Sequence, residues 1–244
     1  MSEVLAAHDV LLVQAENPGP LTLSGTNTWL VGRDPAWVVD PGPDLPAHVA
    51  TVAAATSERG GLGGIALTHD HADHAGAVEA LQERLGPVGV ATTGRAGPLT
   101  ALPTPGHTPD HVAWILGGEI AFTGDAVLGW GSVFLTPYPG SLAGYLDGLA
   151  GLRALPLAAL CPGHGPVVDD PAAKLAEYVA HRLEREAALV SALAAGARGS
   201  EELLDRVWAD VPPVLRPAAA VTLAAHLDKL ADEGRLPEGV ERPG

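Results

Sequence analysis

A six-residue run, H-D-H-A-D-H, begins at His69, one residue after the short apolar segment 64–67. A strand that ends here presents the alternate residues His69 and His71 on one side, and a turn into a helix brings Asp73 and His74 to a second position. Such a cluster of polar groups beside a buried strand is costly unless each group has a partner. Imidazole and carboxylate ligands at this spacing predict two adjacent metal ions, with Zn²⁺ first and Mn²⁺ or Fe²⁺ as alternatives.

Three later segments each place one more candidate ligand at the end of an apolar stretch. In T-P-G-H-T-P-D-H, proline and glycine form a tight loop that projects His107. The segment F-T-G-D ends on Asp125, whose two carboxylate oxygens can bridge two metals, and C-P-G-H-G carries His164. Rigid strands commonly present functional groups on the loops at their ends. We therefore expect these residues to complete the metal centre, whereas the isolated histidines His8, His48, His181 and His226 are expected to be structural or surface residues.

Charge and cysteine content narrow the classes of function. With 14 basic and 29 acidic residues the net charge is −15, a poor match for extended binding to a phosphate backbone. Cys161 is the single cysteine, so no internal disulfide is expected. The first residues lack the pattern of a signal peptide, and no apolar run approaches the roughly 20 residues that span a bilayer. We expect a cytoplasmic protein without membrane contact.

The order of predicted elements favours two sheets with helices outside. Strands are predicted at residues 10–13, 28–31, 36–39, 64–67, 88–91, 112–116, 119–122 and 157–160, and helices at 45–58, 74–85 and 142–155. Asp170 is a good N-cap for a long helix, 172–195, that Gly196 closes. Helices at 200–209 and 217–233 follow. We predict a catalytic domain over 1–169 and a helical domain over 170–244.

The order of the ligand motifs resembles the metallo-beta-lactamase superfamily, whose signature is H-x-H-x-D-H followed by a separate His, Asp and His. The resemblance covers about residues 10–168 and implies an α/β fold, the αββα sandwich, with two metals at one edge of its sheets. It also implies that a hydroxide lies between the metals. The first metal would be held by His69, His71 and His107, the second by Asp73, His74 and His164, with Asp125 bridging.

Further motifs resemble the beta-lactamase-like protein two group of that superfamily. They are G-T-N-T at 25–28, the loop at 104–111, P-G-H-G-P-V-V at 162–168, and the helical segment from 170 to 236. The resemblance implies a winged-helix-like C-terminal domain. The animal member of the group is an endoribonuclease acting on single-stranded RNA, and related fungal enzymes are thioesterases. Segment 94–102 is short and poor in charge, and looks trimmed relative to the group.

The leading hypothesis is a dinuclear zinc hydrolase acting on an ester, a thioester or a phosphodiester, which is a small molecule or RNA. As catalytic residues we predict Asp73, which would orient the nucleophile, and His111, as a proton donor or a partner of a ligand. The alternatives are an acyl-thioester hydrolase, a mononuclear iron sulfur dioxygenase and a non-catalytic binding module. The C-terminal helices are candidates for substrate contact, for covering the rim of the site and for a homodimer contact.

Overall fold

The computed structural model describes residues 3–243, which form ten strands and eight α-helices. The strands are β1 (Val10–Gln14), β2 (Asn27–Val31), β3 (Ala36–Val39), β4 (Leu62–Ala66), β5 (Val90–Ala91), β6 (Arg95–Ala96), β7 (Leu99–Pro103), β8 (Val112–Leu116), β9 (Ile120–Gly124) and β10 (Ala159–Pro162). The helices are α1 (Glu3–Ala7), α2 (Pro46–Ser57), α3 (Ala72–Ala75), α4 (Val78–Leu85), α5 (Ser141–Arg153), α6 (Pro171–Ala194), α7 (Ser200–Val207) and α8 (Arg216–Asp232). A 3-10 turn, Pro213–Leu215, precedes α8.

The strands form two five-stranded sheets that pack face to face. The first has the order β1-β2-β3-β4-β5, and the second has the order β10-β9-β8-β7-β6. Large apolar side chains from both sheets meet between them, including Trp29 and Val39 from the first sheet and Trp114 and Phe122 from the second. All four are buried. This layer holds the two sheets in fixed register, because close-packed side chains leave little room for sliding.

Helices cover the outer face of each sheet. On the first sheet, Val52 of α2 and Leu81 of α4 pack against strand residues such as Ile65. On the second sheet, Tyr145 of α5 and Leu175 of α6 belong to a cluster that also includes residues of β8, β9, β10 and α8. The layers are therefore helix, sheet, sheet, helix, and the predicted αββα class is confirmed.

Two local predictions differ from the structure. The helix predicted over 74–85 begins earlier, at Ala72, and breaks between α3 and α4. At the break the Ala77 N–H donates to the Gly42 carbonyl at 2.9 Å and not to the carbonyl four residues before it. The supposedly trimmed segment contains β6 and most of β7, which the sequence analysis missed. Gly97 joins these strands at φ 55°, where an added Cβ would lie 2.2 Å from a ring carbon of Trp37. The turn of this hairpin therefore requires glycine, because any side chain at position 97 would clash with the Trp37 ring.

The C-terminal helices begin where the sequence predicted. The Asp170 side chain accepts a hydrogen bond from the Ala173 N–H at 3.0 Å, so the predicted N-cap is confirmed. Helices α6, α7 and α8 enclose a separate apolar cluster that includes Leu189, Leu204 and Leu223. Within residues 163–243 the structure contains helices and no named strand. None of the helices in residues 3–243 is long and apolar enough to cross a membrane.

His226 of α8 makes the stability of this helical region sensitive to acid. Its ring is fully buried, and neither ring nitrogen has a hydrogen-bond partner. Burial, followed by the positive charge of Arg182, lowers the pKa of His226 from 6.5 to about 3. Because the unfolded chain binds this proton more readily, the stability present above pH 6.5 is lost as the pH falls toward 3.

We expect His226→Leu to flatten this acid dependence. The wild-type chain should lose roughly 2 kcal/mol more than the variant between pH 7 and pH 5, because 1.5 pH units below the unfolded pKa correspond to about that free energy. Urea unfolding of both proteins at the two pH values measures the free energies of unfolding. The contributions of the other titrating groups cancel when wild type and variant are compared. Parallel loss of stability in wild type and variant would show that His226 carries none of the effect.

Candidate metal centre

The predicted ligands converge at one edge of the sandwich because the strands that carry them end there. His69 and His71 follow β4, His107 follows β7, Asp125 follows β9, and His164 follows β10. In the second sheet β7, β9 and β10 run in the same direction, so their carboxyl ends share an edge. Helix α3 contributes the remaining two predicted ligands, Asp73 and His74.

Three groups of side chains at this edge are compact enough to hold a metal ion, and two of them share no residue. The third group, His69, His74 and Asp125, joins these two. In the first, His71 Nδ1 lies 3.0 Å from His69 Nε2 and 3.0 Å from His107 Nε2. In the second, His164 Nε2 lies 3.3 Å from His74 Nε2 and 3.3 Å from the nearer Asp73 oxygen. The structure thus brings together the same two sets of three that the resemblance implied.

Asp125 lies between these two groups and directs one oxygen at each. Its Oδ1 is 3.5 Å from His74 Nε2 and 3.4 Å from His164 Nε2, while its Oδ2 is 3.5 Å from His107 Nε2. Oδ1 is buried and has no hydrogen-bond partner. A buried carboxylate oxygen without a partner is costly, and a metal ion on each side would supply the missing interactions.

Hydrogen bonds on the far side of the rings fix which imidazole nitrogen faces the centre. The Thr68 hydroxyl donates its single hydrogen to Asp40 at 2.7 Å, so it accepts from His69 Nδ1 at 3.0 Å. The Asp40 carboxylate likewise accepts from His74 Nδ1 at 2.9 Å. His69 and His74 therefore carry their protons on Nδ1 and turn the Nε2 lone pair inward, as metal ligands must.

Backbone carbonyl groups orient two more histidines in the same way. The Nδ1–H of His107 donates to the Phe134 carbonyl at 3.2 Å, and that of His164 donates to the Gly25 carbonyl at 3.4 Å. A carbonyl can only accept, so Nε2 of each ring is left unprotonated toward the centre. Four imidazoles are thus prepared for a cation before any ion binds, and the donor set fits Zn²⁺ or another divalent transition metal.

The electrostatics of the centre also favour positive charge. Although burial opposes it, the carboxylates of Asp125 and Asp40 raise the pKa of His74 well above its usual value. Burial would raise the pKa of Asp125, but the charge of His74 and hydrogen bonding to it hold that pKa well below its usual range. In the metal-free centre His74 therefore holds an extra proton on the ring nitrogen that faces inward, and a metal ion would displace this proton.

His111 lies beneath the centre and has both ring nitrogens occupied. Its Nε2 accepts the backbone N–H of Asp125 at 3.1 Å, so its Nδ1 carries the proton and donates to Thr104 Oγ1 at 2.9 Å. Burial, followed by the charge of His107, lowers its pKa to about 3. Of the two roles predicted for His111, these bonds favour positioning Asp125 over donating a proton.

Other polar and aromatic residues lie at the rim of the site or in the scaffold around it. Asp70, the polar residue of the H-D-H-A-D-H run that is not a candidate ligand, is exposed and forms no side-chain hydrogen bond within residues 3–243. His48 is structural, since its Nε2 lies 3.0 Å from Thr28 Oγ1 and 3.1 Å from the Pro41 carbonyl. Trp130 is exposed at the rim, and Phe134 packs edge-on against His107 with ring centres 4.6 Å apart.

Asp40 is the functional residue that the sequence analysis missed. In the sequence it directly follows β3 and begins the segment D-P-G-P, a composition typical of a turn. Its backbone lies in the left-handed region at φ 49°, a conformation that aspartate tolerates better than most residues. This directs the carboxylate toward Thr68 and His74, and Asp40 accepts the Thr68 N–H at 2.8 Å as well. An aspartate at a strand end beside a turn was the available signal.

Comparison with known proteins agrees with the fold. The model of the metallo-beta-lactamase superfamily matches residues 21–99 and 88–164, and the chain belongs to this superfamily. The model of the beta-lactamase associated winged helix domain matches residues 200–238. Over 256 residues the chain is 30% identical to the Beta-lactamase-like protein 2 homolog of Caenorhabditis elegans, covering 92% of this chain and 85% of the relative. The predicted resemblance is thereby confirmed.

Two solved structures extend the comparison. The metallo-beta-lactamase family protein TTHA1429 from Thermus thermophilus is 24% identical with a TM-score of 0.70, covering 92% of this chain and 94% of that one. The likeness shows that the fold extends through the helical region. TTHA1623, solved in a di-iron-bound form, is 28% identical with a TM-score of 0.51, covering 65% of this chain and 94% of that one.

Proposed function

We propose that this protein is a hydrolase that uses two divalent metal ions to cleave an ester, thioester or phosphodiester bond. The observation that carries the proposal is the position of Asp125, which directs one oxygen at each of two three-residue ligand groups. The orientation of His69, His74, His107 and His164 supports it, because the Nδ1–H of each ring has a partner outside the centre and Nε2 of each ring faces inward. Membership of the superfamily is consistent with hydrolysis.

The residues of the centre would bind the two metal ions, and one of them would also orient the attacking water. His69, His71 and His107 would hold one ion, Asp73, His74 and His164 the other, and Asp125 would bridge them. When bound, two such ions supply a water nucleophile of lowered pKa and polarise the bond under attack. The side chain of Asp73 is 30% exposed against 12% for Asp125, so Asp73 can orient an incoming water by accepting its hydrogen bond.

We propose Zn²⁺ as the native metal, because imidazole and carboxylate ligands of this kind suit it well. Iron is the second candidate, since TTHA1623, which is 28% identical, has been solved in a di-iron-bound form. For the substrate, the net charge of −15 favours a small molecule over an extended nucleic acid. The choice of metal and the choice of substrate class do not depend on which residues bind the metals, and each can be tested separately.

Metal titration tests the proposal directly. After a chelator has removed its metal, we expect the protein to be inactive. On addition of zinc it should bind two Zn²⁺ ions and regain hydrolysis. Elemental analysis gives the stoichiometry, and assays with a bis-aryl phosphodiester, an acyl thioester, a lactone and single-stranded RNA give the activity. In the same assays Asp73→Asn should lose one ion, whereas the matched control Asp70→Asn, altered at an exposed residue, should keep both.

Three results would contradict the proposal. One is a single iron per chain with no gain on adding zinc, which would favour the mononuclear dioxygenase. Another is two ions without hydrolysis of any of the four substrates. The third is equal metal content in Asp73→Asn and wild type, which would remove Asp73 from the ligand set.

A further inference from the structure

A cavity of about 610 Å³ lies between the sheet domain and the C-terminal helices, and Asp125 of the metal centre is part of its wall. Leu128, Val133 and Phe134 line it from the loop after β9, and Trp208, Leu215 and Ala219 line it from the helical region. This volume falls within the range of cavities that hold organic ligands of drug size. Substrate bound at the metal centre can therefore extend into a largely apolar space.

The wall of this cavity contains a buried positive charge that has no counter-charge. Arg182 of α6 is 2% exposed, and within residues 3–243 no carboxylate lies within ion-pair distance of it. Its Nη2 donates to the Val133 carbonyl at 2.5 Å, its guanidinium lies 5.3 Å from the centre of the Tyr145 ring, and its Nε has no hydrogen-bond partner. A buried charge without an ionic partner is unfavourable, and an anionic group on a ligand would relieve this.

The neighbouring basic groups do not share this property. Arg185 also lines the cavity, but it pairs with Asp210 at 2.6 Å. His181 accepts the Arg185 Nε–H at 3.3 Å, and burial together with the charges of Arg182 and Arg185 lowers the pKa of His181 to about 4. At neutral pH the positive charge left for a ligand on this wall is that of Arg182.

Exposed apolar side chains mark the entrance to the same cavity. Leu21 is 52% exposed and Trp130 is 59% exposed, and both belong to the cavity lining. Large apolar side chains left in contact with water beside a cavity are typical of ligand-binding surfaces. They would cover the part of an apolar ligand that projects from the opening.

We propose that this cavity binds a substrate with an apolar acyl or aryl body and a carboxylate, with the carboxylate paired to Arg182 and the scissile bond at the metal centre. The inference rests on the proposed hydrolase function and specifies its substrate as an amphipathic organic acid. Arginine is suited to this task, because its planar guanidinium stays charged and forms strong hydrogen bonds to carboxylates.

Calorimetric binding of two matched probes, decanoate and decanamide, tests the charge. Titrations with chelator present exclude ligation of a metal by the probe. We expect the full chain to bind decanoate at least about tenfold more tightly than decanamide, the effect of one charge-assisted hydrogen bond. Arg182→Met should abolish this preference. Arg206→Met, altered at an exposed arginine that pairs with Glu202 on α7, should retain it. A wild-type chain without preference, or a preference that survives in Arg182→Met, would overturn the proposal.

A second pair of variants tests the cavity without touching Arg182. Ala218 lines the cavity and is half-buried on α8, so Ala218→Phe should fill part of the space and weaken both probes at least about tenfold. Ala231→Phe, at an exposed position of the same helix, should weaken neither. If Ala218→Phe bound the probes as tightly as Ala231→Phe does, the proposal would be overturned. If the zinc-loaded chain cleaves model esters but the chain titrated with chelator shows no probe preference, only the cavity assignment fails. Preference without any hydrolysis would mean that the proposed function fails.

Discussion

Asp125→Asn is expected to abolish most hydrolysis and to lower the metal content below two ions per chain. The carboxylate has one oxygen near His74 and His164 and the other near His107, so the amide would replace one negatively charged oxygen with hydrogens that point at a metal or at an imidazole lone pair. Loss of a residue that only supports a ligand commonly costs 10–100-fold in affinity or activity. Loss of a bridging ligand should therefore exceed about 100-fold in rate.

Elemental analysis and steady-state hydrolysis of the best model substrate measure this result. Asp147→Asn is the matched control, since Asp147 is an exposed aspartate on α5, away from the centre. Circular dichroism of both variants verifies that the fold is retained. The bridging role would be wrong if Asp125→Asn kept two ions and hydrolysed within tenfold of the wild-type rate.

Asp40→Asn is expected to weaken zinc binding although Asp40 belongs to neither ligand group. One carboxylate accepts the N–H and the hydroxyl of Thr68 and the Nδ1–H of His74, and Thr68 in turn orients His69. An amide cannot accept all three hydrogen bonds with the same geometry, so one histidine in each ligand group would lose its orientation. We expect a 10–100-fold loss in zinc affinity, the usual effect of removing such a partner.

Competition with a coloured chelator measures the affinity of both ions. Asp44→Asn provides the control, because Asp44 follows the same turn and is exposed. Unchanged zinc affinity in Asp40→Asn would show that the histidines keep their orientation without this carboxylate. An equal loss in Asp44→Asn would show that the turn matters and the hydrogen bonds do not.

The ligand set was predictable because its signals are local. Most candidate ligands follow a short apolar strand within a few residues, and Asp73 and His74 lie on the helix that comes next. The order of the motifs along the chain is the pattern of the superfamily. Asp40 had no such signal, since its partners Thr68 and His74 lie 28 and 34 residues further along. Only the pairing of β3 with β4 brings the two strand ends together. A single sequence contains no local pattern for that contact.

In the helical region, too, local sequence signals were predictable and contacts between distant residues were not. Asp170 and Pro171 mark the start of α6, and Gly196 and Gly234 stand beyond the ends of α6 and α8 at φ 94° and 68°, so these boundaries follow from backbone preferences. The β6–β7 hairpin was not predictable in this way. It depends on the fit of Gly97 against Trp37 and on pairing of β7 with β8.

By itself, then, the sequence determined the candidate metal ligands, the layered fold and the start of the helical region, because ligand type, strand ends and helix caps are properties of neighbouring residues. The tertiary structure decided the rest. In the sequence Arg182 is one basic residue among several in an acidic chain. It became a buried charge without an ionic partner in residues 3–243, in the wall of the cavity that Asp125 also lines, only when α6 packed on the second sheet. Burial and charge pairing depend on distant parts of the chain, so the specificity that they imply could be inferred only after the layers were assembled.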